Sequence, residues 1–137
     1  MLPFEFIVDG PPVSQQTRRR SRRLPQWRAT VRAAAAQQWP TEDLPIERDL
    51  TVAITHFYEG APADVDNLVK PIVDAIKGLA YVDDGQVTDL LIRRRPLRGP
   101  FVISAMSEVL AAGLLLGREF LHIRLASPPT GGDLRPI

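Results

Sequence analysis

Cysteine is absent from the 137 residues, lysine occurs only at positions 70 and 77, and no long apolar run interrupts the chain. Without thiols there is no structural disulfide and no thiolate-held metal, and a reducing cytoplasm is the expected setting. The longest apolar block, Val109 to Leu116, is far shorter than the ~20 residues a bilayer-crossing helix needs. The opening MLPFEFIVDG carries acids where a secretory signal would carry base. The expectation is a cytoplasmic protein with no membrane partner. Hydrophobic content of 45% with 24% charged residues fits a globular domain able to bury its own core. We read one domain over residues 1–126 and a tail, SPPTGGDLRPI, over 127–137, whose composition is that of a linker.

The net charge of +1 hides a strong order along the chain. Arg18, Arg19, Arg20, Arg22, Arg23, Arg28 and Arg32 fall in a stretch without a single acid. From Glu59 to Asp89 there are seven acids against the two lysines, and RRRPLR follows at 93–98. A chain that is basic, then acidic, then basic is suited to gripping a polyanion beside a carboxylate pocket for cations. The plainer reading is that charge runs are solvated loops.

Leu2, Phe4, Phe6 and Val8 alternate with more polar neighbours, which predicts a first strand ending at DGPP. An irregular basic loop follows, then a helix from Pro25 to Trp39, stopped by Pro40. DLTVAITHFY (49–58) predicts a buried strand, QVTDLLIRRR (86–95) a third and EFLHIRLA (119–126) a last one. Ser107 is placed to cap a short helix through Leu116, ended by Gly117. Strands and helices interleave, so the expected fold is α+β, a small mixed sheet with helices packed on it.

The stretch PADVDNLVKPIVDAIKGLAYVDD (62–84) holds five aspartates and both lysines. On a helix over 66–79, Leu68, Val69, Ile72, Val73, Ala75, Ile76 and Leu79 share one arc, and Asp66, Asn67, Lys70, Asp74 and Lys77 the other. Pro71 bends this picture, placing the regular helix near itself, and Gly78 offers the stop. If the chain is extended at 64–66, Asp64 and Asp66 leave the same face. Two such carboxylates stay ionised together only beside a cation. Lys70 supplies part of that charge. A divalent ion supplies more, and oxygen ligands without cysteine favour Mg²⁺ or Mn²⁺ over zinc. Asp83 and Asp84 end the segment, and a returning turn would bring them beside the first pair. The alternative is structural: Asp64 or Asp66 as a cap, Asp84–Gly85 as a turn, Asp74 in a surface pair with a lysine.

DVDNLVKPIVDAIKG followed by YVDDGQV resembles the signature of the RusA-type Holliday-junction resolvases, a family of endodeoxyribonucleases. VDGPPVSQQTRRR resembles the family's first strand and basic loop. The likeness covers about residues 4–95 and is strongest over 62–88, while the C-terminal third matches loosely. The resemblance implies that Asp64, Asp66 and, of the later pair, Asp84 rather than Asp83 bind catalytic Mg²⁺. It further implies that Lys70 is needed for catalysis and that the protein is a homodimer acting on four-way DNA junctions in recombination and repair, by paired nicks that leave 5′-phosphates. Asp74 occupies the family's helix acid, and Asn67 is placed to orient an aspartate or cap the helix. The departure is the dense RRRSRR loop, where Arg18, Arg19, Arg20, Arg22 and Arg23 are the expected DNA contacts, with Arg93 to Arg95 as further candidates.

His56 and His122 fall in expected strands and are read as packed or hydrogen-bonded rather than metal ligands. Trp27 and Trp39 are read as core or interface. Glu59 and Asp89 flank the acid stretch as candidate outer residues, and Lys77 is read as a favourable charge at a helix end. Two rivals remain open: a nuclease for other branched or phage DNA, and a junction-binding protein that does not cut.

Overall fold

A computed structural model describes residues 2–14 and 22–134. Its centre is a four-stranded sheet in the order β1-β4-β2-β3, from β1 (Phe4–Asp9), β2 (Leu50–Tyr58), β3 (Val87–Pro96) and β4 (Phe120–Ala126). β4 pairs antiparallel with both β1 and β2, so Thr55 stands between His122 and Arg93 in one row across the sheet. β2 and β3 are parallel. Parallel neighbours need a crossover rather than a hairpin, and the acid stretch is that crossover. The α+β expectation stands, with a mixed sheet and helices on it.

Alternation decides the faces. Phe4, Phe6 and Val8 of β1, Leu50, Val52 and Ile54 of β2, and Leu121, Ile123 and Leu125 of β4 are buried in one cluster. Over them lie α1 (Arg23–Gln38), through Trp27, Val31 and Ala35, and α2 (Val69–Ile76), through Ile72, Ala75 and Ile76. The four-residue spacing of the α1 set is one helical face. Both tryptophans belong to this core, with Trp39 meeting the Phe4 ring edge-on at 4.9 Å. α3 (Glu108–Leu115) covers part of the opposite face, where Leu110 packs with Phe57 and Phe120. Its cap is the expected one: Ser107 Oγ accepts the Leu110 N–H at 3.1 Å.

α2 is shorter than the apolar arc predicts. A 3₁₀ turn at Val65–Asn67 precedes it, and Pro71 is its third residue, where no intrahelical N–H bond is lost. It stops at Ile76 because Lys77 is extended and Gly78 takes φ +84°, a left-handed turn that glycine allows without strain. Leu79 packs against the core from outside the helix. From α1, Arg32 Nη1 donates to the carbonyls of Ala75 (3.1 Å) and Lys77 (3.0 Å), closing the helix end. Among the described residues no helix is long and apolar enough to cross a membrane.

Candidate active site

The first acid pair lies where β2 hands over to α2. Asp64 has extended backbone and precedes the 3₁₀ turn, while Asp66 lies inside it. The extended geometry expected for 64–66 therefore ends at Asp64. The chain coils because Asn67 N–H closes on the Asp64 carbonyl at 3.1 Å and Leu68 N–H on the Val65 carbonyl at 3.2 Å. Leu68, fully buried, fixes the turn on the core. Both carboxylates are exposed, and among the described residues neither has a side-chain hydrogen bond or ion pair. Arg94 Nη1 donates to the carbonyl of Ala63 at 3.3 Å, tying the loop to β3.

The second pair is built on a buried amide. Gln86 Oε1 accepts the N–H groups of Val82 and Asp83, both at 2.8 Å, and its Nε2 donates to the carbonyls of Ile46 (2.7 Å) and Arg48 (2.8 Å). That satisfies every hydrogen-bonding position of the side chain. Asp83 Oδ2 accepts the Gly85 N–H at 3.1 Å and completes a capping box with Gln86. Asp83 is thus committed in part to holding the turn, whereas Asp84 projects one residue further on. Lys77 Nζ stands 3.6 Å from Asp84 Oδ2 and 3.9 Å from Asp83 Oδ1. This corrects the expectation for Lys77: the early helix stop turns its ammonium onto the second acid pair.

Lys70 Nζ donates to Asp74 Oδ1 at 3.0 Å. That bond and the Asp74 charge, helped by Asp84 and opposed by desolvation and Arg28, hold its pKa above the ordinary lysine value, so it is a fixed cation. Tyr81, fully buried, donates to the Val73 carbonyl at 2.7 Å. Burial, then the negative charges of Asp84, Asp74 and Asp83, push its pKa well above the ordinary phenol, so it stays neutral. The charges of Asp74 and Asp84 therefore act on both Lys70 and Tyr81.

Donor type and partners decide whether a divalent ion suits these residues. Among the described residues no three acidic or imidazole side chains stand close enough to enclose one. Mg²⁺ does not require such a cage, since it keeps several waters and takes one or two carboxylates plus substrate phosphate. Asp64 and Asp66, exposed oxygen donors whose carboxylates have no partner among the described residues, fit that demand. The histidines are engaged elsewhere: His56 Nε2 lies 2.6 Å from Glu119 Oε2, and His122 Nε2 lies 2.7 Å from Glu5 Oε1. Glu59 takes the Glu119 N–H at 3.2 Å and Arg98 at 3.5 Å, and Asp89 takes the Thr88 hydroxyl at 2.7 Å, so both serve local partners. The N-cap positions of the turn and of α2 fall at Asp64 and Leu68 rather than at Asn67.

Of the expected DNA contacts, Arg18, Arg19 and Arg20 lie outside the described residues, while Arg22 and Arg23 are exposed at the start of α1. Residue-by-residue reading missed Gln86, Tyr81 and the capping role of Arg32. Only Gln86 had a visible signal, the Asp83-x-x-Gln86 spacing of a capping box. A family model described as Endodeoxyribonuclease RusA matches residues 9–102, more than half of the chain and including both aspartate pairs, Lys70 and Asp74. No curated protein matches the chain.

Proposed function

The chain belongs to the endodeoxyribonuclease RusA family, and on that premise we propose that it resolves four-way DNA junctions as a divalent-metal-dependent homodimer making paired, symmetric nicks. The observation that supports this most is the turn at 64–66. Two exposed aspartates have no protein partner among the described residues, and a lysine held charged follows one helical turn later. Asp64 and Asp66 would hold the ion, with Asp84 the contributor expected from the second pair and Asp83 retained as the cap of its turn. When bound, a hard divalent cation supplies Lewis acidity to the scissile phosphate and makes water nucleophilic near neutral pH.

The chain's own residues do the rest. Lys70, oriented by Asp74, is a preorganised cation for the charge that develops on the phosphoryl or leaving oxygen. Lys77, 3.6 Å from Asp84 and 3.9 Å from Asp83, sets a positive charge against both carboxylates of the second pair. Tyr81 and Gln86 hold the backbone on either side of the second pair. Exposed arginines at the start of α1 supply sequence-independent contacts to phosphates. One such site cuts one strand, so a two-fold dimer meets the need for two symmetric cuts.

The test offers purified protein a labelled four-way junction, a flap and a linear duplex, each in Mg²⁺ or in EDTA. Paired nicks in the junction, in Mg²⁺ alone, are expected. Preference for the flap would move the substrate to another branched DNA. Binding without nicks in Mg²⁺ or Mn²⁺ would make the protein a junction binder and end the enzyme reading.

A further inference from the structure

The pleat of β3 divides the RRR run between the two faces of the sheet. Arg94 leaves on the side of α2 and reaches Ala63, at the base of the acid turn. Arg93 and Arg95 leave on the opposite side, where Arg124 of β4 joins them two strands away, about 10 Å across the sheet. Together they line an open cavity of about 660 Å³, roofed by the 101–107 segment and walled by Phe101, which packs 5.3 Å from Phe57.

Three features mark the cavity as wanting an anion. Among the described residues, Arg93, Arg95 and Arg124 take part in no ion pair within 4 Å. The one acid lining it, Glu5, is already bound by Ser107 Oγ and His122 Nε2, both at 2.7 Å. Burial opposes the ionisation of Glu5, but those bonds, with the charges of His122 and Arg124, hold its pKa below the ordinary value. Arg93 is preorganised, its Nε donating to Thr55 Oγ1 at 3.2 Å. Burial and then the like charge of Arg95 press its pKa downward.

We propose that this cleft is a second nucleic-acid subsite that seats the phosphates of a single DNA strand on Arg93, Arg95 and Arg124. Its volume lies in the range that encloses a drug-sized ligand, so roughly one or two nucleotide units fit and a duplex does not. Arginines beside an aromatic wall are what a strand without sequence preference requires. β3 is an edge strand, so a strand leaving the acid turn crosses it beside Arg94 and reaches the cleft on the other side. The identity of the anion as DNA rests on the function proposed above, whereas the anion site itself does not.

The experiment measures binding of fluorescein-labelled oligothymidylate to the full chain in EDTA, by anisotropy over a range of salt. Arg95→Ala/Arg124→Ala is expected to bind more weakly, with a log–log salt slope shallower by about 1.4, or ~0.7 for each single-strand phosphate that is no longer neutralised. Arg95→Lys/Arg124→Lys, which keeps the charge, is expected to retain the slope, and Arg95→Gln/Arg124→Gln, which removes the charge with less loss of side-chain volume, carries the comparison if the alanine pair fails to fold. An unchanged slope and affinity in the alanine pair overturns the proposal. So does displacement of the oligonucleotide by micromolar inorganic phosphate or mononucleotide, which would make this a free-anion site. A change in molar mass by light scattering without a change in DNA binding would assign the face to self-association instead. Nicking of the junction is read separately, so a failed cleft and a failed nuclease give different results.

Discussion

Replacing Gln86 by alanine removes four hydrogen bonds with one substitution. The vacated partners are two N–H groups, at Val82 and Asp83, and two carbonyls, at Ile46 and Arg48. Each bond contributes on the order of 0.5–1.5 kcal/mol net, and a buried group left unpaired costs more. Val82, Asp83 and Arg48 are otherwise exposed, so water reaches part of what is vacated, and the sum comes down to about 2–3 kcal/mol. With a urea m-value of about 1.5 kcal/mol/M the unfolding midpoint falls by roughly 1.3–2 M. Gln86→Glu sharpens the test. It keeps the acceptors for Val82 and Asp83 but sets oxygen against the Ile46 and Arg48 carbonyls, so at neutral pH it should be at least as damaging as alanine. Both variants release the turn carrying Asp83 and Asp84, and junction nicking should fall even well below the melting temperature. A midpoint shift under about 0.3 M for both variants would refute the reasoning.

Lys70→Ala should reduce nicking on the order of 10²-fold or more, with melting nearly unchanged because its pair with Asp74 is exposed; unaltered nicking would remove Lys70 from the chemistry. Gly113→Ala would set a Cβ 2.5 Å from Phe120 Cε2, an overpacking cost of about 1–3 kcal/mol, read as a lower Tm; an unchanged Tm would mean the Phe120 ring moves freely. Burial lowers the pKa of His56, with Arg94 adding and Glu119 opposing, and that of His122, with Arg93 and Arg124 adding and Glu5 opposing. The unfolded chain then binds more protons, so stability is full above the ordinary imidazole value of 6.5 and falls as pH drops below it. Melting at pH 7.5 and 5.5 should show the loss, and His56→Gln/His122→Gln should flatten it. A Tm that rises toward pH 5.5 would contradict the sign.

The sheet was legible where one physical cue dominates. β1 announces itself by alternation, the Ser107 cap by its place before an apolar run, and β4 by β-branched and aromatic content. α2 was overextended because its apolar arc continues through Leu79, while the left-handed turn at Gly78 is set by backbone geometry that side-chain periodicity does not encode. That stop is also what gives Lys77 its acidic partners. The aspartates at 64 and 66 were legible as a pair, but not the 3₁₀ coil between them, which depends on Leu68 finding the core. Arg32 stands in a run that reads as DNA-binding and is spent on the end of α2. RRR at 93–95 reads as one block of charge, but in a strand it must split, one guanidinium toward the acid turn and two toward the cleft.

The claim on which all else depends is that Asp66 serves the chemistry and not the fold. Asp66→Asn is nearly isosteric, keeps the turn's backbone bonds and removes one negative charge beside the DNA. The direct measurement sets its junction cleavage in Mg²⁺ against its junction affinity and melting temperature. We predict cleavage abolished, affinity unchanged or tighter, and Tm unchanged. Cleavage retained at the wild-type rate, or lost only together with the fold, would contradict the account.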